Sequence, residues 1–136
     1  LNSDRLELVC AQNHPLKSRQ DAFFKDVLMH DFVGLNQGSA LLELGQRQAS
    51  ALGQKWRLRI QVRSFDALCN MVNSGMGIGL VPLHACQGSI KAHGLHTLSL
   101  NDGWATRKFW MVSRALPELS PSTKILRQFL LNEMRD

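Results

Sequence analysis

The spacing of apolar residues changes abruptly near position 64 of this 136-residue chain, and the change predicts two kinds of element. In residues 58–62 apolar and polar residues alternate, which predicts a strand with one buried face. In residues 65–72 the apolar positions recur every three or four residues, which predicts a helix that Ser64 caps and Gly75 ends. Residues 78–82 form a short apolar run closed by proline, so the whole region predicts a parallel βαβ unit.

The same two spacings predict the other elements of the chain. They indicate strands at residues 6–10, 32–35, 95–100 and 104–113, and helices at residues 21–28, at residues 39–52 and after Ser120. The residues of helix 39–52 expected to face inward are Leu41, Leu42, Ala49 and Leu52. Residues 83–94 are predicted to form a helix fragment or a loop. Strands that alternate with helices indicate an α/β fold with a largely parallel sheet.

The composition is typical of a soluble globular domain. The chain is 44% apolar and 20% charged, and its longest uncharged apolar run, residues 76–83, is much shorter than a membrane-spanning helix. The first residues lack the basic-then-apolar order of a signal peptide. Cys10, Cys69 and Cys86 are odd in number and have no CxxC spacing, which fits free thiols in a reducing compartment. We therefore expect a cytoplasmic protein without a membrane partner.

The net charge of +5 has two interpretations, a nucleic-acid groove or a solvated, partner-binding face. Only Lys55, Arg57, Arg59 and Arg63 form a local basic cluster, while the other basic residues are spread along the chain. The sequence contains no helix-turn-helix, zinc-finger or RNP-like motif. The pattern therefore favours a solvated or partner-binding face.

The turn formed by Gln37, Gly38 and Ser39 is the first candidate binding site. It opens a predicted helix, where free backbone N–H groups, the positive end of the helix dipole and a hydroxyl suit a carboxylate or another small anion. Serine is also a preferred helix cap, so Ser39 could serve only to begin the helix. The two roles are compatible.

Ser64 and Phe65 are the second candidate, because they follow a strand at its carboxyl end, where open α/β sheets bind ligands. Phe65 belongs to the apolar stripe of the helix, so the pattern favours a core role over stacking on a ligand. Ser64 is a candidate polar contact. Gln12, at the end of the first predicted strand, is a further candidate of the same kind.

Other motifs give little support for cofactor, metal or catalytic chemistry. The glycines in residues 75–79 end a helix and enter a strand, which is the reverse of the order in a dinucleotide-binding turn. His84, Cys86, His93 and His96 lack the paired spacing of a zinc site and are more typical of a surface loop. The chain has no nucleophile elbow and no paired carboxylates placed for hydrolysis. We therefore predict no cofactor, no metal and no enzymatic activity.

Three stretches resemble the effector-binding region of LysR-type transcriptional regulators. SFDALCNMVNSGMGIGLVP (residues 64–82) is similar to the family's helix followed by a G-[LM]-G-I-G-x-x-P run. LELVCAQNHPL (residues 6–16) is similar to its strand and His-Pro-Leu turn, and DFVGLNQGSALLEL (residues 31–44) to its next strand and glycine-started helix. The resemblance runs in family order over essentially the whole chain, and it implies a periplasmic-binding-protein-like (type 2) α/β fold.

The resemblance also implies a division into subdomains. In this family two α/β subdomains are joined by two crossing strands, which correspond here to residues 6–12 and roughly residues 95–101. Residues 1–12 would then arrive from the first subdomain, residues 13–97 would form the second, and residues 98–136 would return to the first. Most of the first subdomain, and an N-terminal winged helix-turn-helix, are expected to lie outside this chain.

The implied function is effector sensing. A small organic molecule would bind between the subdomains and control the geometry of a homo-oligomer, which would contact DNA only through the winged helix-turn-helix. The exposed side of helix 39–52 is a candidate oligomer surface. Two alternatives remain open at this point, a solute-binding protein of the same architecture and an α/β enzyme. The first would be exported, and the second would need convergent titratable groups in a pocket.

Overall fold

One six-stranded sheet with three helices makes up the part of the chain that the computed structural model describes, residues 4–106. The strands are β1 (Leu6–Cys10), β2 (Asp21–Ala22), β3 (Phe32–Leu35), β4 (Leu58–Val62), β5 (Ile78–Pro82) and β6 (His96–Leu100). The helices are α1 (Ala40–Ala51), α2 (Phe65–Asn73) and α3 (Leu83–Ala92). Short 3₁₀ turns occupy Pro15–Ser18, Phe24–Asp26 and Gly103–Thr106.

The strand order β2-β6-β1-β5-β3-β4 makes the sheet mixed instead of largely parallel. β3 is parallel to both β4 and β5, so the predicted parallel βαβ unit is confirmed, with β3 inserted between its two strands. β1 lies between β5 and β6 and is antiparallel to both. The local pattern could not reveal this arrangement, because strand order depends on which distant strands pair.

Helices cover both faces of the sheet and create two apolar clusters. The cluster under α1 includes Leu8, Phe24, Phe32, Leu42 and Trp56. The cluster under α2 and α3 includes Val9, Val33, Leu68, Val72 and Ile90. β1 is buried along its whole length because it contributes side chains to both clusters. This double burial is typical of strands covered by helices on each face.

The predicted helix boundaries at Ser39 and Ser64 are confirmed. Ser39 Oγ accepts a hydrogen bond from Leu42 N at 3.2 Å, and Ser64 Oγ accepts one from Ala67 N at 3.1 Å. Each hydroxyl therefore satisfies a backbone N–H that has no partner within its helix. Beyond the other end of α2, Gly75 adopts a φ of +85°, which glycine tolerates better than other residues.

Several other predictions need correction. Residues 21–28 are not a helix: they form β2 and a 3₁₀ turn, because Phe24 N–H is held by Asp102 Oδ1 at 2.8 Å instead of by a helical partner. Leu52 is 43% exposed, whereas Leu41, Leu42 and Ala49 are buried as predicted. Residues 83–94, for which the sequence predicts a helix fragment or a loop, contain the helix α3.

The last two predicted elements are only partly tested. The strand expected at residues 104–113 begins instead with the 3₁₀ turn Gly103–Thr106. The remainder of that strand and the final helix after Ser120 lie outside the described residues. Among residues 4–106, no helix has the length and apolar character needed to cross a bilayer.

The three cysteines are free and buried. Burial raises the pKa of Cys10 and of Cys69 to about 11, and the Asp66 charge adds to the effect on Cys69. Burial, followed by the Cys69 and Asp4 charges, raises the pKa of Cys86 to about 12. Because the thiolate is the reactive form, all three thiols are held in an unreactive state.

We expect iodoacetamide at pH 8 to alkylate the folded chain much more slowly than the chain in urea, as measured by mass spectrometry. In urea each thiol regains solvent access and its ordinary pKa, so the thiolate fraction rises. Equal rates in the two conditions would show that the thiols are accessible in the folded state.

Candidate functional site

The carboxyl ends of β3 and β4 form the candidate site, which we call the carboxyl edge. Leu35 at the end of β3 lies in register with Val62 at the end of β4. Asn36 N–H donates to Val62 O at 3.0 Å, and Gln61 Nε2 donates to Leu35 O at 3.0 Å. These bonds hold the two following turns side by side. As a result α1 and α2 both begin at this edge, as parallel strands followed by helices require.

The turn before α1 is open to solvent. Gln37 and Gly38 are exposed and Ser39 is half-buried. Gly38 has a φ of +90°, a conformation that favours glycine. The N–H groups of Ala40 and Leu41, in the first turn of α1, have no acceptor within the helix. The turn therefore offers backbone donors, the positive end of the helix dipole and a hydroxyl proton to a bound anion.

The turn before α2 provides an exposed hydroxyl and an aromatic ring. Ser64 is exposed, and Phe65 is half-buried and packs against both apolar clusters. Phe65 therefore anchors the start of α2 in the core while part of its ring stays accessible. The sequence did not mark Arg63 as a site residue, yet it is exposed and adds a positive charge directly before Ser64. The sequence could have identified Arg63, because this residue directly follows the strand predicted at residues 58–62.

A third helix begins at the carboxyl edge, but its N-terminus is already occupied. Asp4, only 8% exposed, accepts hydrogen bonds from His84 N at 2.7 Å and from Ala85 N at 3.0 Å. The carboxylate satisfies the first N–H groups of α3 and compensates its dipole. α1 and α2 have neutral serine caps instead. Their first turns also contain Glu43 and Asp66, of which Asp66 accepts a hydrogen bond from Ser89 Oγ at 3.1 Å.

Gln12 does not join the other candidate residues. β1 runs antiparallel to β5, so its carboxyl end lies at the opposite edge of the sheet from Ser39 and Ser64. There Gln12 Nε2 donates to Gly94 O at 2.9 Å. The same antiparallel order places Leu6, where β1 begins, and Leu100, where β6 ends, at the carboxyl edge. Within residues 4–106, the first strand therefore begins and the last strand ends at this same edge.

Three of the four residues considered as metal ligands are buried or engaged in other contacts, and the fourth, His84, is exposed. Cys86 is buried, and His93 Nε2 lies 3.4 Å from Asp66 Oδ1. His96 Nε2 lies 2.7 Å from Arg19 O. Over residues 4–106, no three His, Cys, Asp or Glu side chains come close enough to hold a metal ion.

Comparison with solved structures shows the fold. The effector-binding domain of QuiR in complex with shikimate matches with a TM-score of 0.67 and 19% identity, over 97% of this chain and 62% of that one. OxyR of Corynebacterium glutamicum, in a C206 mutant, matches with a TM-score of 0.67 and 19% identity, over 97% and 41% of the two chains. The BenM effector-binding domain with its effector benzoate gives a TM-score of 0.59 and 20% identity, over 98% and 63%.

Comparison of sequences shows the family. The chain is 29% identical over 129 residues to the RuBisCO operon transcriptional regulator of Allochromatium vinosum. The match covers 94% of this chain but only 42% of that regulator's length. The family model described as the LysR substrate binding domain matches residues 1–135. The chain therefore belongs to the family of LysR substrate-binding domains.

Proposed function

We propose that the carboxyl edge forms half of a cleft for a small organic anion, and that its binding is the effector-sensing step of a LysR-type bacterial transcriptional regulator. One observation carries this proposal: the hydroxyl-capped N-termini of α1 and α2 lie at the same edge of the sheet, the edge where β1 begins and β6 ends. A second subdomain attached through β1 and β6 would face this edge. It would close the cleft over Gln37, Gly38, Ser39, Ser64 and Phe65.

The relatives support a small organic ligand. QuiR is described in complex with shikimate, and BenM is described with benzoate as its effector. In this chain, the dipole of α1 and the nearby Arg63 supply a positive field that would favour an anion. Family membership also favours a regulator over a solute-binding protein or an enzyme.

The subdomain boundaries follow from the same proposal. Residues 1–12 would arrive from the first subdomain along β1, residues 13–97 would form the second, and residues 98–136 would return to the first. An effector that contacts both subdomains stabilises their closed arrangement, because it has more favourable contacts there than in the open one. That arrangement would set the geometry of a homo-oligomer, and DNA would be contacted through a winged helix-turn-helix outside this chain.

The oligomer surface that we propose is the exposed side of α1, which includes Gln46 and Arg47. It faces away from the apolar cluster that α1 covers. A helix face of this kind can pair with a neighbouring protomer without blocking the N-terminus of α1.

Effector identity is best approached with a longer protein that contains both subdomains, purified from its own host. Native mass spectrometry is expected to detect a retained small anion, which can then be titrated back by calorimetry. Recovery of a longer protein with no retained ligand, and no binding of benzoate, shikimate or related anions, would contradict the proposal.

Replacing Ser39 with glycine is expected to weaken effector binding about tenfold, which corresponds to about 1.4 kcal/mol. Glycine removes the hydroxyl but lowers helix stability by only a few tenths of a kcal/mol, whereas alanine lowers it by about 1 kcal/mol. Ser39→Ala should therefore show the same loss of affinity together with a lower melting temperature. Calorimetry with the retained ligand measures the affinity.

Ser50→Ala, on the exposed side of α1 away from the N-terminus, is the matched control and should leave affinity unchanged. If Ser39→Gly also left affinity unchanged, the Ser39 hydroxyl would serve only as a helix cap.

A further inference from the structure

A groove lies at the edge of the sheet opposite the carboxyl edge, at the amino ends of β3 and β4. Its volume is about 270 Å³, close to the lower end of the about 300–1,000 Å³ typical of small-molecule sites. The polar side chains that line it are those of His14, His30, Asp31, Arg57 and Arg59. None of these residues belongs to the carboxyl edge, so the groove is independent of the effector site proposed above.

The positive charge of the groove exceeds its negative charge. Arg57 is held in place because Nη1 donates to Met29 O at 2.6 Å and Nη2 pairs with Asp31 Oδ1 at 3.1 Å. That ion pair uses the one carboxylate that lines the groove. Arg59 is exposed, and no carboxylate of residues 4–106 forms an ion pair with it. A guanidinium oriented by two contacts, next to one that has no ion pair among the described residues, is a suitable arrangement for an oxyanion.

Two histidine rings line the groove beside the arginines. His14 and His30 pack edge to face, with ring centroids 4.9 Å apart. His14 Nδ1 accepts a hydrogen bond from Leu16 N at 3.0 Å, so the proton of the neutral ring is on Nε2 and can be donated. Burial lowers the pKa of His14, and the charge of His30 lowers it further. A bound anion would offset this repulsion and favour the protonated form of His14.

We propose that this groove binds the phosphoryl group of a small molecule. Two guanidinium groups line the groove with one carboxylate, and the Nε2–H of His14 can donate, so a doubly charged oxyanion gains more here than a single carboxylate does. Gly75 and Gly77 line the same groove, and a Cβ at Gly75 would meet no atom within 4 Å. The site would give the domain a second ligand, separate from the effector.

Titration of inorganic phosphate into the 136-residue chain tests the proposal. At constant ionic strength, with chloride as the matched salt, NMR should show saturable shifts of the ring signals of His14 and His30. The pKa of His14 should rise when phosphate is bound, because the anion favours the protonated ring. A response that does not saturate, or that chloride reproduces, would overturn the proposal.

Arg59→Gln is expected to weaken phosphate binding about tenfold, since it removes one charge-assisted donor from an exposed side chain. Lys25→Gln makes the same change of charge at an exposed side chain that does not line the groove and should leave phosphate affinity unchanged. Equal losses in the two variants would show that phosphate responds only to net charge. Circular dichroism checks that each variant is folded. If Arg59→Gln does not fold, the phosphate titration of the natural chain alone tests the proposal.

Discussion

Replacing Phe24 with alanine is expected to lower the free energy of unfolding by about 3–5 kcal/mol, the range for removing a buried aromatic ring. Phe24 is fully buried, and its ring packs edge to face with three others. The centroid distances are 6.1 Å to Phe32, 6.2 Å to Trp56 and 5.2 Å to Trp104. Alanine would leave a cavity lined by these three rings, and urea denaturation would measure the loss.

The adjacent Phe23 provides the control. It is 46% exposed, so Phe23→Ala should change stability by no more than about 0.5 kcal/mol. Phe24→Leu keeps part of the apolar volume and should fall between the two, which is informative if Phe24→Ala does not fold. Similar losses for Phe23→Ala and Phe24→Ala would place Phe24 outside the core.

Replacing Gly45 with alanine is expected to lower stability by about 2 kcal/mol, although it lies within α1. Helix propensity alone would make alanine more stable by about 1 kcal/mol. A Cβ at position 45, however, would lie 2.3 Å from an atom of the Trp56 ring. That ring is itself packed against Phe24 and Phe32, so it cannot move without disturbing them. Overpacking of this kind costs about 1–3 kcal/mol.

Gly88→Ala is the matched substitution in α3. A Cβ at Gly88 would meet no atom within 4 Å, so alanine there should raise stability by about 0.4–1 kcal/mol. Urea denaturation of both variants gives the comparison. If both substitutions stabilised the chain, the Trp56 ring would be free to move away from α1.

The two proposed ligand sites occupy opposite ends of the same pair of strands. The effector site uses the turns that follow β3 and β4, whereas the phosphate groove uses residues before and at the start of these strands. Variants at Ser39 and at Arg59 therefore test different edges of one sheet. A phosphate response that persists in Ser39→Gly would support their independence.

Local chemistry allowed much of the fold to be predicted from sequence. The predicted starts of α1 and α2 were correct because each serine hydroxyl accepts a hydrogen bond from a backbone N–H only three residues later. The prediction that Gly75 ends α2 was correct because the conformation of this glycine depends on few other residues. The placement of Ser39 and Ser64 at strand ends followed from the same local pattern.

Distant partners decided the rest. Phe24 lies in a 3₁₀ turn, and not in a helix, because its N–H finds Asp102, 78 residues away. At the start of α3, the N–H groups of His84 and Ala85 donate to Asp4, which lies about 80 residues earlier in the chain. Helical spacing alone could identify neither contact.

The sequence by itself determined the strands β1, β3, β4, β5 and β6, the starts of α1 and α2 and the family that the chain resembles, because these features depend on neighbouring residues. It did not determine the structure of residues 21–28, 83–94 or 103–106. Only the tertiary structure decided that β1 runs against β5 and β6, which separates Gln12 from Ser39 and Ser64. It also brought His14, His30 and Arg59 into one groove. The physical reason is that strand order is set by hydrogen bonds and apolar contacts between residues far apart in the chain.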